Sequence, residues 1–303
     1  MGNASSGDKV VVITGATSGI GRAAAFQFAG SGARLVLVGR SEKNGNEVLN
    51  KIRSASPHCI CEFLRADLSN LTEVRDLASR IKDRYDRVDV LLDNAGARFS
   101  HYEETSDGFE RTFATNHLGH FLLTALLLGH LLRAPAARIL TIGSGAHSGV
   151  CSNPTWLLTT QTYERKLAYG TSKLANIVFA YELARRLSGT SVTSNAVDPG
   201  GVATNLGRNN GWTAWLRHLT YYALKRQLIT ARQAASHIDY LALAEELTGV
   251  TGQYFRDRQV VASSDVSRDP LVAQGLWSLS VKLTGVDASL GRVWEYLRPA
   301  DSA

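Results

Sequence analysis

A phenol and a primary amine, Tyr169 and Lys173, stand four residues apart in a segment of helical pattern, which places both on one face. About 150 residues earlier comes the run Thr14-Gly15-Ala16-Thr17-Ser18-Gly19-Ile20-Gly21. It follows the apolar Val10-Val11-Val12-Ile13 and precedes Arg22-Ala23-Ala24-Ala25-Phe26, the order of a strand, a tight turn and the start of a helix. Helix N-termini present unpaired N–H groups and positive partial charge, which suits a pyrophosphate. A dinucleotide cradle together with a Tyr–Lys pair is equipment for moving a hydride and a proton together. Either feature alone is weak; jointly they make an oxidoreductase the leading reading.

The elements that must position these residues alternate. Strands are expected at Val10–Thr14, Arg34–Gly39, Cys59–Leu64, Val88–Leu92, Arg138–Ile142 and Val192–Val197, with Tyr254-Phe255 ending a seventh. Helical patterns fill 19–30, 42–54, 71–84, 106–132 and 163–187. Near-continuous apolar strands between helices imply an α/β fold, a doubly wound (Rossmann) parallel sheet of seven strands with helices on both faces. Ligands of such sheets bind beyond the carboxyl ends of the strands, where strand order reverses. The candidate residues fall there: Thr14 and Gly15 after strand one, Arg40 after two, Asp67 after three, Asn94-Ala95-Gly96 after four, Ser144 after five, and Pro199-Gly200 after six. Turn propensity accounts for any one glycine, but less easily for glycine or polar residues at the same end of every strand.

Composition narrows the class. At 303 residues, 44% hydrophobic and 20% charged, the chain is globular, and one domain spanning 1–303 is expected. Phe121–Leu128 is too short to span a bilayer and reads as a buried helix. The net charge of +6 is dispersed, which argues against nucleic-acid binding and suits capture of an anionic cofactor. No HExxH or Cys/His cluster occurs, so no metal is expected. Cys59 and Cys61 read as core thiols of a reducing, cytoplasmic protein. Residues 1–9 hold no apolar signal-peptide stretch.

Taken together, Thr14-Gly-x-x-x-Gly-x-Gly21, Asp67-Leu68, Asn94-Ala95-Gly96, Asn116, Ser144, Tyr169-x-x-x-Lys173 and Pro199-Gly200 closely resemble the short-chain dehydrogenase/reductase family. Within it, Thr115-Asn116-His117-Leu118-Gly119-His120-Phe121 and Ser172-Lys173-Leu174-Ala175-Asn176 are most similar to the retinol-dehydrogenase-like and WW-domain-oxidoreductase-like branch. The tail segments Gly252–Phe255 and Leu276–Ser280 agree with that branch. It usually carries Asn at 93, Ser at 143 and His at 198, where this chain has Asp93, Gly143 and Asp198. The resemblance implies a catalytic set of Asn116, Ser144, Tyr169 and Lys173. Tyr169 is the general acid/base; Lys173 holds the nicotinamide ribose and lowers the tyrosine pKa; Asn116 holds a water that links the lysine to solvent. Ser144 supports the substrate oxygen, with Ser148 as its competitor. Around the cofactor it implies Gly15, Ser18, Gly19, Ile20 and Gly21 at the phosphates, Asp67 and Leu68 at adenine, and Asn94, Ala95 and Gly96 along the cleft. Val202 and Thr204 stand at the spacing that grips the carboxamide.

NAD enzymes of this fold carry an acid at the end of strand two. Here that end reads Gly39-Arg40, and an arginine can grip a 2′-phosphate with two hydrogen bonds, so NADP(H) is the expected cofactor, with Arg22 as a second cation. Between Thr204 and Thr230, Trp212 and Trp215 head an aromatic, basic stretch expected to form a substrate-binding lid at about 202–230, followed by a C-terminal extension at about 256–303. A bulky, largely apolar ketone, aldehyde or alcohol suits such a lid. A membrane-surface helix and a self-association surface are the other uses of this stretch. Helices 106–132 and 163–187 leave a homodimer or homotetramer open. The rival function is a non-catalytic NADP(H)-binding sensor or scaffold, which would have no use for Tyr169; a sugar-nucleotide epimerase is disfavoured by chain length and glycine spacing.

Overall fold

The computed structural model describes residues 9–151, 154–202 and 228–298. Alternating strands and helices run β1 Val10–Thr14, α1 Gly19–Gly30, β2 Arg34–Gly39, α2 Glu42–Ala55, β3 Cys61–Arg65, α3 Leu71–Arg84 and β4 Val90–Asp93. A short helix α4, Arg111–Phe113, passes through a π-helical turn, Ala114–Leu118, into α5, Gly119–Leu131. Then come β5 Ala137–Ile142, α6 Arg165–Arg186, β6 Val192–Asp198, β7 Gly201–Val202, β8 Leu228–Ile229, α7 Ala231–Leu243, β9 Tyr254–Arg256 and β10 Gln259–Val260. Helices α8 Asp265–Arg268, α9 Pro270–Thr284 and α10 Trp294–Leu297 complete the described chain.

The main sheet has eight strands in the order β10-β9-β6-β5-β4-β1-β2-β3. Seven are parallel, as expected; the eighth, β10, pairs antiparallel with β9 at the edge. β1 pairs with β2 on one side and β4 on the other, so strand order reverses at the carboxyl end of β1. Side-chain alternation divides the core. Val10 and Val12 pack toward α3, α5 and α6, whereas Val11 and Ile13 pack toward α1, α2 and α7. Both layers are buried, which is why the strands read as unbroken apolar runs.

Three of the boundaries that differ from expectation have a visible cause. The helix expected to begin at Ser106 begins at Arg111: Glu110 is its cap, its carboxylate accepting from Thr112 N and Phe113 N at 2.7 and 2.8 Å. Asp107 accepts from Leu71 N at 2.9 Å and so serves the start of α3 from a distance. β3 starts at Cys61, leaving Ile60 exposed and Cys59 half-buried before the strand. β4 spans Val90–Asp93, because Val88 and Asp89 serve as the approach, with Asp89 accepting from Val10 N.

The C-terminal segment lies against α5 and α6. Trp277 of α9 stacks on Phe179 (centroids 6.0 Å apart, planes at 19°) and meets Phe121 edge-on at 5.1 Å. Its indole N–H donates to Leu297 O at 2.6 Å, and Arg186 sits 4.3 Å above its ring. These aromatic side chains of the two long helices are therefore covered by the chain's own tail. Among the described residues no helix is long and apolar enough to cross a membrane.

Candidate active site

The glycine turn is built by Thr14. Its hydroxyl oxygen accepts from Asn94 N and Ala95 N at 2.8 and 2.9 Å, and Asn94 Nδ2 donates to Thr14 O at 2.7 Å. This locks the ends of β1 and β4 together. Gly15 takes φ +66°, and a Cβ there would lie 2.8 Å from Ala95 Cα; one on Gly21 would lie 2.4 Å from both Asn94 Nδ2 and Gly15 O. Neither position tolerates a side chain. Ser18, the N-cap of α1, makes no side-chain cap, and no acid occupies the first turn, so the leading N–H groups stay available to an anion. By contrast Ser41 and Asn70 cap α2 and α3 with their own side chains.

The turn opens on a cleft of about 1360 Å³. Gly15, Ser18, Gly19, Ile20, Arg40, Asp67, Leu68, Asn94, Ala95, Gly96, Ser144, Tyr169, Lys173, Pro199, Gly200 and Val202 all line it. Thr14, Gly21 and Asn116 stand behind the wall. Arg22 does not line it; its guanidinium lies 5.8 Å over Phe26. Asp67 is not a helix cap: it accepts from Ser69 N and Ser69 Oγ, while Asn70 caps α3. Ser144 lines the cleft and Ser148 does not. Ser144 Oγ accepts from Ala146 N at 3.2 Å, leaving its proton free to donate. Thr204, Trp212 and Trp215 lie outside the described residues.

Helix α6 carries Tyr169 half-buried and Lys173 fully buried, with Lys173 Nζ 5.8 Å from the Tyr169 ring centroid. The ammonium donates to Ile142 O at 2.9 Å. Burial pushes its pKa down to about 8, with Asp198 opposing. Asn116 projects from the π-helical turn. Its Oδ1 accepts from Ala97 N at 2.7 Å, and its Nδ2 donates to Ala97 O at 3.0 Å and Ser172 Oγ at 2.9 Å. The amide is thus engaged in pinning the 96–97 loop to α6 rather than turned toward solvent. A Cβ on Gly96 would sit 3.6 Å from both Asn116 Oδ1 and Lys173 Nζ, so this glycine leaves room directly above the lysine.

Two buried histidines hold the π turn. His120 bonds Asn116 O through Nδ1 at 2.9 Å and Thr14 Oγ1 through Nε2 at 2.9 Å. A carbonyl can only accept, so Nδ1 carries the proton and the Thr14 hydroxyl donates to Nε2. Burial lowers the pKa of His120 to about 4 and that of His117 to about 3, so both are neutral at working pH. His117 reaches Ser280 of α9 at 2.8 Å. The two sequence signatures therefore meet each other, the glycine turn and the tail.

The departures from the resembled branch have physical accounts. Asp93 is fully buried and accepts from Thr124 Oγ1 at 3.1 Å, and burial raises its pKa well above the usual carboxylate range. A Cβ on Gly143 would be 3.0 Å from Ile177 Cγ1, tight against α6. Asp198 pairs with Arg256 at 2.5 Å and accepts from Gly200 N at 2.9 Å, bracing the Pro199-Gly200 corner. Sequence reading missed Arg98, Glu164, Arg165 and Lys166, which also line the cleft. Arg98 lies two residues past Asn94-Ala95-Gly96, and continuing that motif into the cleft would have found it. Among the described residues no three metal-ligating side chains cluster.

A family model described as short chain dehydrogenase matches residues 9–214. Human retinol dehydrogenase 13 is 36% identical over 286 residues, covering 92% of this chain and 86% of that one. Mouse retinol dehydrogenase 14 is 38% identical over 288 residues, with 92% and 86% covered. The crystal structure of an uncharacterised protein from Mycobacterium paratuberculosis aligns with a TM-score of 0.73 at 31% identity, covering 92% of this chain and 94% of that one. The chain belongs to the short-chain dehydrogenase family, an oxidoreductase family, and is retinol-dehydrogenase-like within it.

Proposed function

We propose that this family member is an NADP(H)-dependent oxidoreductase that interconverts a ketone or aldehyde with an alcohol on a bulky, largely apolar substrate. The observation that carries the reading is the shared cleft: glycine turn and Arg40 at one end, Ser144, Tyr169 and Lys173 at the other. The dinucleotide fits the residues present. The uncapped start of α1 and the tight Gly15–Gly21 turn would take its pyrophosphate. Asp67 and Leu68 would face adenine, and Lys173 the nicotinamide ribose. When bound, the nicotinamide supplies or takes the hydride.

The chain's own residues handle the proton and the oxygen. In reduction the Tyr169 hydroxyl gives its proton to the substrate oxygen, and the Ser144 hydroxyl donates to that oxygen as charge grows on it. Lys173 keeps the phenol acidic and passes on the replacement proton, while Asn116 fixes Ala97 and Ser172 on either side of that route. Turnover of NADPH against a panel of ketones and aldehydes is the direct assay; no oxidation with any of them would remove the reading.

Cofactor choice is tested separately. NADPH should bind far better than NADH, and Arg40→Ala should weaken NADPH by about 1.5–3 kcal/mol, the value of a charge-assisted contact, while hardly touching NADH. Fluorescence titration with both cofactors decides, and equal affinities in the wild type would overturn the preference. The aromatic stretch supports an apolar substrate from sequence alone. Trp212→Ala and Trp215→Ala should each lower kcat/KM by about 2 kcal/mol with NADPH affinity little changed. Altered liposome binding or mass with unaltered kinetics would assign that stretch to a membrane or self-association role.

A further inference from the structure

Among the described residues two cations lie over the Tyr169 ring, and the family pattern accounts for one of them. Lys173 Nζ is 5.8 Å from the ring centroid; Arg98 Cζ is 5.6 Å from it. Arg98 is held there by the backbone on both sides. Ala97 is clamped through N–H and C=O by Asn116, at 2.7 and 3.0 Å. Phe99 O accepts from the Tyr163 hydroxyl at 2.9 Å, and Arg111 lies 4.7 Å over the Phe99 ring. The loop that carries Arg98 is thus fixed to the π turn and to the segment leading into α6, and its side chain lines the cleft.

We propose that Arg98 is a tuning residue whose fixed positive charge over the Tyr169 ring favours the phenolate, so that Tyr169 exchanges its proton nearer neutral pH. The proposal rests on the reading of Tyr169 above. A phenolate ring is richer in electrons than a phenol, so a cation on its face or near its oxygen stabilises the deprotonated form more. Lys173 cannot supply this field at all pH values, since burial brings its own titration down to about 8. A guanidinium stays charged throughout the working range. The other charges about the ring do not replace it. Glu164, Arg165 and Lys166 lie at the start of α6; Asp198, at the end of β6, is paired with Arg256; His147, from the turn after β5, has its pKa lowered by burial. Among the described residues Arg98 and Lys173 are therefore the cations set directly against the ring, and of these two Arg98 is the one whose charge does not titrate.

The test reads Tyr169 without requiring turnover. Tyrosinate absorbance is titrated in the cofactor-free wild type and in Arg98→Met, each minus its Tyr169→Phe counterpart, which isolates Tyr169 from the other tyrosines. Arg98→Met should raise the Tyr169 midpoint by about one pH unit, the lower end of what a neighbouring charge does, because the cleft is open. Arg98→Lys should restore part of the shift. The pH profile of kcat should move by the same amount, with KM for a neutral carbonyl substrate unchanged. An unchanged midpoint overturns the proposal; if KM then rises for carboxylate-bearing carbonyls alone, Arg98 is a substrate anchor instead. Arg98→Gln, which keeps polar reach without charge, gives the same decision if Met is not tolerated. Should wild type and Tyr169→Phe turn over equally, the acid/base reading fails while the titration still reports on Arg98.

Discussion

Tyr169→Phe is expected to lower kcat by at least about 100-fold, the usual contribution of a positioned general acid/base, and to leave NADPH affinity nearly unchanged. The substitution removes one oxygen. The ring keeps its place between Arg98 and Lys173, and Lys173 keeps its bond to Ile142 O, so neither the helix nor the lysine loses its support. Within α6 the Ser172 hydroxyl donates to the Tyr169 backbone carbonyl at 2.8 Å, a bond that does not depend on the Tyr169 side chain. The effect should therefore fall on kcat and not on cofactor binding. Steady-state rates on the best carbonyl found, with fluorescence titration of NADPH on the same protein, separate the two. Retention of more than about a tenth of the wild-type kcat would contradict the role, because proton transfer would then be supplied elsewhere.

How far the sequence carries can be seen at particular residues. The ends of β1, β2, β4, β5 and β6 were legible because each strand is a buried apolar run that stops at a glycine or polar residue, and those stops are where the cleft lies. The π-helical turn was not legible. One extra residue in a helical turn leaves the apolar pattern of Phe113–Leu128 intact, and its signature is the backbone bond from Gly119 N to Ala114 O, which needs the fold to be seen. The eighth strand was hidden for a different reason. The β9–β10 hairpin turns on Asp257 and Arg258, both at positive φ (50° and 66°), where Asn-Gly or Asp-Gly would have announced a turn. The start of α4 was set too early because its cap is Glu110, whose bonds to Thr112 N and Phe113 N need the fold to be seen. Asn116 was named with the resembled motifs, and it lies in the π turn. Its partners, Ala97 and Ser172, are 19 and 56 residues away and could not be read from spacing.

Gly119→Ala and Gly129→Ala, two identical changes in α5, are expected to have opposite signs. Alanine is favoured over glycine within a helix by about 1 kcal/mol, so propensity alone would stabilise both variants. The surroundings decide. At Gly119 a Cβ would lie 2.2 Å from Leu68 O, 2.9 Å from Leu68 Cβ and 3.0 Å from Leu68 C. These are mainly backbone atoms of the turn between β3 and α3, and that turn cannot rotate away as a flexible side chain would. Either α5 or the Leu68 turn must move outward, and the π turn, Asn116 and the adenine end of the cleft move with it. Overpacking a rigid site costs about 1–3 kcal/mol and sometimes more, and the upper end applies here, so Gly119→Ala should lose about 2 kcal/mol net after the propensity gain. At Gly129 the nearest atom to a Cβ is Val293 Cγ2 at 3.6 Å, an ordinary contact. That variant should gain about 0.5–1 kcal/mol. Urea unfolding of both proteins beside wild type measures the difference, and NADPH titration of Gly119→Ala should show weakened binding because Leu68 lines the cofactor cleft. If Gly119→Ala were as stable as Gly129→Ala, α5 would not approach the Leu68 turn as closely as the packing requires, and the link drawn between the π turn and the cleft would fail with it.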